Sequence, residues 1–278
     1  MALTTLVLPL ELSRHLNDPT WVVIDCRYDL DEPDQAEADY RKSHIPGAYY
    51  ANLLSDLCGT PQPGLTSRHP FPTVEEFSRT ISKWSITPAT QVVVYDNLRG
   101  GFAVRLWRML GWFGFPNVAL LDGGWDGWFT AGFPTDSNLP TPSHRHRQIQ
   151  PKLNPNLIVT TEEVQLAIHD PRVVFLDARS IRSYEAGHIP GAVHIHYLEN
   201  TDATGKLRPV VDLQTLYKSI IGNHPANQVI AYCTSGVTAS LAILVMQYLG
   251  LGTARLYAGS WDEWSADPLH PIEQPPQT

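Results

Sequence analysis

The stretch Tyr40-Arg-Lys-Ser-His44-Ile-Pro-Gly-Ala48 has a counterpart in the second half of the chain, Tyr184-Glu-Ala-Gly-His188-Ile-Pro-Gly-Ala192. Three further segments repeat around it in the same order. They pair residues 21–27 with 173–179, residues 92–96 with 229–233, and residues 120–128 with 256–264. Segments repeated in one order indicate an internal duplication, so the chain is predicted to contain two domains of one fold.

Apolar runs of strand length within each repeat end in polar residues. The motif Asp-x-Arg ends both Trp21-Val-Val-Ile-Asp25-Cys-Arg27 and Val173-Val-Phe-Leu-Asp177-Ala-Arg179. An apolar run followed by polar residues is typical of a buried parallel strand with polar groups at its carboxyl end. Helical stretches alternate with these runs, which predicts an α/β fold with a mostly parallel sheet flanked by helices in each domain. We predict domains at residues 1–137 and 157–278, joined by a proline-rich, polar linker at residues 138–156.

Composition excludes several classes of protein. The chain has 278 residues, 43% of them hydrophobic and 17% charged, and a formal net charge of −8, so it is globular and does not favour nucleic acid or anionic membranes as partners. Its three cysteines form no Cys-x-x-Cys pair, which argues against a disulfide framework and a cysteine-based metal site. No apolar run approaches the ~18 residues of a membrane span. We therefore expect a cytoplasmic protein.

Chemistry is expected where the third repeated segment ends, because parallel sheets bind ligands beyond the carboxyl ends of their strands. That position is Cys233 in the second half and Asp96 in the first. The short loop after Cys233, residues 234–239, is followed at once by a helical pattern, so its backbone N–H groups would surround an anion at the sulfur. The alternative is a buried, inert cysteine. A cysteine phosphatase is disfavoured because Ala239 stands where it needs an arginine.

With these segments, the sequence resembles the tandem rhodanese-domain sulfurtransferases over nearly its whole length. The resemblance implies two rhodanese-like domains, of which the first, with Asp96 in place of the nucleophile, is inactive. It also implies that Cys233 takes a sulfur atom from a donor as a persulfide and passes it to a thiol, cyanide or protein acceptor, with no cofactor. The uncharged loop Cys233-Thr-Ser-Gly-Val-Thr238 is similar to that of 3-mercaptopyruvate sulfurtransferases. Two alternatives stay open: thiosulfate as donor with the same cysteine, and a persulfide carrier or redox-sensing module without efficient turnover.

The same resemblance implies a proton relay beside the cysteine, formed by Ser235, His69 and Asp56. The alternative for His69 and Asp56 is a structural hydrogen-bond pair. Donor binding is assigned to Arg182 and the loop residues Thr234, Gly236, Val237, Thr238 and Ala239. Arg182 is one position off the family's spacing and a second arginine is missing, so it could equally be a solvated surface residue.

The remaining motif residues are predicted to be structural. We expect Asp25 with Arg27 and Asp177 with Arg179 to form buried ion pairs. His44 and His188 should hydrogen-bond to backbone carbonyls at their turns. The tryptophans of the last repeated segment should pack against the sheet, with Asp126 and Asp262 capping turns.

Overall fold

The computed structural model describes residues 2–140 and 150–274, so the central part of the predicted linker lies outside the described residues. The chain divides into two compact units. Unit 1 comprises Met1–Gly59, Phe71–Asn154 and Thr201–Leu207, and unit 2 comprises Thr60–Pro70, Pro155–Asn200 and Arg208–Thr278. Each unit thus includes a short segment from the opposite half of the chain.

Unit 1 is an α/β unit built on five parallel strands in the order β1-β5-β4-β2-β3. The strands are β1 (Leu6–Val7), β2 (Trp21–Asp25), β3 (Tyr49–Tyr50), β4 (Gln91–Tyr95) and β5 (Val118–Leu121). The helices are α1 (Pro9–Ser13), α2 (Pro33–Lys42), α3 (Leu53–Asp56), α4 (Val74–Lys83), α5 (Ala103–Phe113) and α6 (Gly124–Thr130). All five residues of β4 are buried, which explains the apolar run at residues 92–95.

Unit 2 repeats this architecture with the strand order β6-β10-β9-β7-β8, again all parallel. Its strands are β6 (Ile158–Val159), β7 (Val174–Asp177), β8 (Val193–His194), β9 (Val229–Tyr232) and β10 (Arg255–Tyr257). Its helices are α7 (Thr161–Ala167), α8 (Ile181–Ala186), α9 (Val210–Ile221), α10 (Ser240–Tyr248) and α11 (Ser260–Ala266). The predicted fold class is confirmed.

The repeated motifs stabilise each sheet as expected. Arg179 pairs with Asp177 at 2.6 Å and Arg27 with Asp25 at 2.7 Å, and all four side chains are nearly inaccessible to solvent. The second Trp of each repeat, Trp264 in unit 2, is fully buried in the core. The buried pairs fix the strand ends, because breaking either one would leave an uncompensated charge in the interior.

The histidines of the repeated turn are structural, also as predicted. His44 Nδ1 lies 2.7 Å from the carbonyl oxygen of Tyr40, and His188 Nδ1 lies 2.9 Å from that of Tyr184. Each imidazole therefore satisfies a backbone group at the turn that leads into the third or eighth strand.

No helix in the described part of the chain is long and apolar enough to cross a membrane.

Candidate active site

Cys233 follows β9 directly and is 3% exposed. Its backbone is fixed by the start of α11: the Cys233 N–H donates to Ser260 Oγ at 3.2 Å, and the Cys233 carbonyl accepts the Trp261 N–H at 3.0 Å. The sheet and helix α11 therefore set the direction in which the loop leaves the strand.

The loop after Cys233 passes tightly against neighbouring backbone at Gly236. This glycine has φ +75°, and a Cβ there would lie 2.1 Å from the carbonyl oxygen of Ala258. A side chain would meet both a steric clash and the left-handed backbone penalty. Along the rest of the loop, Val237 and Ala239 are buried, whereas Thr234 and Thr238 are half-buried.

The corresponding loop of unit 1 has the same length and contains an anion of its own. The buried Asp96 carboxylate accepts four backbone N–H groups, from Leu98, Gly100, Phe102 and Ala103, at 2.7–2.8 Å. Burial raises the pKa of Asp96, and these four N–H donors act in the opposite direction. The strand-to-helix loop of this fold thus forms a cradle for a negatively charged group.

His69 and Ser235 are brought together in unit 2. Segment Thr60–Pro70 belongs to this unit, and it places His69 Nδ1 2.8 Å from Ser235 Oγ. Both side chains are buried, with 9% and 6% exposure. Because Ser235 is the second residue after Cys233, this hydrogen bond connects an imidazole to the cysteine loop.

Asp56, the third member of the predicted relay, lies in α3 of unit 1. Its carboxylate accepts the Asn52 N–H at 3.0 Å and forms an ion pair with Lys83 at 3.0 Å. These contacts give Asp56 a structural role at the start of α3, and its participation in the relay stays a prediction.

Arg68 and Asp262 were not identified as partners from the sequence. We expected Asp262 to cap a turn, and this prediction is wrong. Its two oxygens instead accept Arg68 Nε at 2.8 Å and Nη2 at 2.9 Å, and Oδ2 also accepts the Arg68 N–H at 3.1 Å. The next residue of α11, Glu263, accepts the Ser67 N–H at 3.2 Å. Two consecutive carboxylates of α11 therefore hold the segment that carries His69.

The sequence contains one sign of these contacts between α11 and the segment that carries His69. The second Trp motif reads Trp-Asp-Glu-Trp, whereas the first reads Trp-Asp-Gly-Trp, so Glu263 is an extra carboxylate. Nothing in the sequence connects it to residues 67 and 68, because the contacts span almost two hundred positions.

Arg182 lies on α8 and is exposed. Among the described residues, it has no hydrogen-bond or ion-pair partner, so its guanidinium is available to solvent or to a ligand. Its assignment to the donor's carboxylate stays a prediction.

Within residues 2–140 and 150–274, no group of three or more His, Cys, Asp or Glu side chains could hold a metal ion. All three cysteines are free thiols.

Comparison with known proteins agrees with this arrangement. The family model described as the rhodanese-like domain matches residues 8–131 and again residues 160–267. The chain belongs to the rhodanese-like family. Its two matches correspond to the two sheets, each of which carries a strand-to-helix loop at residue 96 or 233.

Rhodanese-like relatives match almost the whole chain. A probable 3-mercaptopyruvate sulfurtransferase from Pseudomonas aeruginosa is 34% identical, covering 94% of this chain and 95% of the relative. A putative thiosulfate sulfurtransferase from Mycobacterium tuberculosis is 30% identical, covering 90% and 89%. The crystal structure of the 3-mercaptopyruvate sulfurtransferase from Escherichia coli superimposes with a TM-score of 0.80 at 28% identity, covering 92% of this chain and 98% of that structure.

Proposed function

We propose that this rhodanese-like protein is a sulfurtransferase that moves a sulfur atom from 3-mercaptopyruvate to a thiol, cyanide or protein acceptor through a persulfide on Cys233. The observation that carries the choice of donor is the hydrogen bond between His69 and Ser235. It supports a proton-handling role, because it joins an imidazole to a hydroxyl two residues after Cys233, and such a pair can supply the proton that carbon–sulfur cleavage needs.

In the first half-reaction, the Cys233 thiolate attacks the sulfur of 3-mercaptopyruvate. A sulfur–sulfur bond forms, the carbon–sulfur bond breaks, and its electron pair leaves as the enolate of pyruvate. The Ser235 hydroxyl, supported by His69, gives a proton to the enolate carbon. The proton that the persulfide loses returns to the Ser235–His69 pair, which leaves the persulfide as an anion. Without the proton transfer to its carbon, the enolate would be a poor leaving group.

The loop after Cys233 is suited to hold the persulfide anion. It has the length of the loop in which Asp96 accepts four N–H groups, and the equivalent donors would be those of Ser235, Val237, Ala239 and Ser240. Charge-assisted N–H contacts of this kind stabilise a terminal sulfur anion. In the second half-reaction, an acceptor such as cyanide attacks this terminal sulfur and leaves as thiocyanate, and the Cys233 thiolate is regenerated.

Thiosulfate is the second candidate donor. Its transfer releases sulfite, a stable anion that needs no proton, so the His69–Ser235 pair would have no task. A relative named as a thiosulfate sulfurtransferase keeps this candidate open. A persulfide carrier without efficient turnover is the third candidate.

The experiment compares kcat/KM for 3-mercaptopyruvate and thiosulfate, with cyanide as acceptor and Cys233→Ser as the blank. We expect wild-type protein to prefer 3-mercaptopyruvate by at least about tenfold. His69→Ala and Ser235→Ala should lower turnover of 3-mercaptopyruvate by roughly 100-fold or more and leave thiosulfate turnover within a few fold. Equal losses with both donors would refute the relay. Slow turnover of both donors beside a stable persulfide would favour the carrier.

Arg182 and Asp56 complete the proposed site. Arg182→Ala should raise KM for 3-mercaptopyruvate, whereas Lys218→Ala, which removes another exposed cation of unit 2, should not. Asp56→Asn should reproduce part of the His69→Ala effect if Asp56 orients the imidazole. Lys83→Ala controls for loss of the ion pair that Asp56 makes in unit 1.

We further propose a cytoplasmic location, in keeping with three free thiols and a reducing environment. Cell fractionation with antibody detection tests this location, and recovery in an oxidising compartment would contradict it.

A further inference from the structure

Ser260, the first residue of α11, has an unfavourable backbone conformation. Its φ is +55°, in the left-handed region that is costly for any residue with a Cβ. The whole residue is buried, so hydration of the hydroxyl does not account for a serine here. Residues held in this conformation cluster at functional sites, where the surrounding structure maintains them. The contacts of the Ser260 hydroxyl therefore need a functional explanation.

The equivalent position in unit 1 is Gly124. The repeated segments 120–128 and 256–264 align it with Ser260, and its φ is nearly the same, +54°. A Cβ at Gly124 would lie 2.4 Å from the carbonyl oxygen of Asp96, so unit 1 excludes a side chain at this turn. Unit 2 has the same backbone conformation but accommodates a serine. The unit that carries the cysteine thus has a buried hydroxyl that the other unit lacks.

This hydroxyl connects the ends of two neighbouring strands. Ser260 Oγ accepts the Cys233 N–H at 3.2 Å and donates to the carbonyl oxygen of Tyr257 at 2.8 Å. Cys233 directly follows β9, and Tyr257 is the last residue of β10. Because the single hydroxyl proton is used by Tyr257, the oxygen is oriented as an acceptor for the buried Cys233 N–H.

The backbone of Cys233 is held on both sides. Its N–H donates to Ser260 Oγ, and its carbonyl oxygen accepts the Trp261 N–H at 3.0 Å. These two bonds fix the peptide planes before and after the Cys233 Cα. Since a planar peptide leaves φ and ψ as the only soft backbone dihedrals, fixing both planes fixes the direction of the Cα–Cβ bond. The position of the sulfur is then restricted to the side-chain rotamers of Cys233.

The two units differ in how they orient the residue that ends the central strand. In unit 1 the Asp96 carboxylate orients itself, because it accepts four backbone N–H groups at 2.7–2.8 Å. Cysteine sulfur is a much weaker hydrogen-bond acceptor than a carboxylate oxygen. In unit 2 the orientation must therefore come from the backbone, which explains a hydroxyl at Ser260 and none at Gly124.

We propose that Ser260 is a positioning residue of sulfur transfer, whose hydroxyl directs the Cys233 sulfur toward the loop formed by residues 234–239. Both of its hydrogen bonds are to backbone groups, so it acts through Cys233. The inference rests on the proposed function, because it concerns the rate at which the Cys233 thiolate attacks a donor. It applies equally to 3-mercaptopyruvate and thiosulfate, unlike the proton relay of His69 and Ser235.

The test is the single-turnover rate of persulfide formation on the full-length protein, measured by mass spectrometry of quenched samples over a range of donor concentrations. Ser260→Ala keeps the Cβ and removes the hydroxyl. Ser260→Gly also removes the left-handed penalty, as at Gly124, so this variant should fold even if Ser260→Ala does not. Ser265→Ala is the matched control, because Ser265 is an exposed serine of the same helix whose hydroxyl donates to the Trp261 carbonyl.

We expect both Ser260 variants to lower the limiting rate at least about tenfold with each donor. The half-saturating donor concentration should change by less than about twofold, because Ser260 positions the nucleophile rather than the donor. Ser265→Ala should change neither quantity. A merely structural role would lower the thermal midpoint and leave the limiting rate of the folded protein unchanged.

The inference is overturned if wild-type protein is active and folded Ser260→Gly retains a limiting rate within about twofold of it. A loss with 3-mercaptopyruvate alone also overturns it, since Ser260 would then act in proton transfer. So does a change in the half-saturating concentration alone, which would indicate a role in donor binding. Wild-type protein that forms no persulfide with either donor is a distinct result, which refutes the proposed function and this inference with it.

Discussion

Replacing Asp96 by alanine would empty the amide cradle of unit 1. The carboxylate is 1% exposed and accepts four backbone N–H groups within the loop and the start of α5. After the substitution these donors would be buried without their acceptor. Since the loop fastens β4 to α5, its loss should destabilise the whole sheet of unit 1.

The magnitude follows from the number of donors. Each buried group left without a partner costs about 1–3 kcal/mol, so the four N–H groups together cost roughly 4–12 kcal/mol. Water entering the vacated space offsets part of this cost, as does relief from keeping a carboxylate buried. We therefore expect Asp96→Ala to lower the free energy of unfolding by about 4 kcal/mol, out of the ~5–15 kcal/mol typical of a domain.

Urea unfolding followed by circular dichroism measures this change, and hydrogen exchange of residues 97–103 locates it. Asn97→Ala is the matched control: Asn97 is an exposed neighbour in the same loop, and its substitution should change stability by less than about 0.5 kcal/mol. A loss below about 1 kcal/mol for Asp96→Ala, or unchanged exchange in the loop, would show that the carboxylate does not hold the cradle together.

Three further predictions concern unit 2. Gly236→Ala should destabilise the protein by about 2–5 kcal/mol through the clash with Ala258 and the left-handed backbone; a thermal midpoint equal to wild type would contradict the close approach. Arg68→Ala, by releasing Asp262, should cost only about 1 kcal/mol of stability but lower kcat/KM for 3-mercaptopyruvate at least about tenfold, with partial rescue in Arg68→Lys; unchanged kinetics would mean that the ion pair does not position the relay. Hydrogen bonds from a neighbouring arginine lower the pKa of Asp170 to about 2. The Asp170 carboxylate therefore contributes to stability above its ordinary pKa of 3.8, and this contribution is lost as pH falls from 3.8 toward 2. Over this range the thermal midpoint should decrease less in Asp170→Asn than in wild type. An identical decrease in the two proteins would contradict this prediction.

Sequence alone was sufficient for the fold and for the position of Cys233 at the end of a strand. The repeated motifs, the apolar runs and their spacing predict two parallel sheets, because burial on both faces imposes a pattern that is readable residue by residue. Cys233 and Asp96 could be placed at the carboxyl ends of strands for the same reason. The buried Asp177–Arg179 pair was likewise predictable, since its partners are two residues apart.

Tertiary structure decided which distant side chains meet the loop after Cys233 and helix α11. His69 meets Ser235 across 166 positions of sequence, and Arg68 meets Asp262 across 194. Family resemblance suggested the first contact, and nothing in the sequence suggested the second. Such contacts depend on where a segment packs after folding, as the exchange of Thr60–Pro70 and Thr201–Leu207 between the units demonstrates. Local pattern records which face of an element is buried, but it carries no information about which distant side chain will cover it.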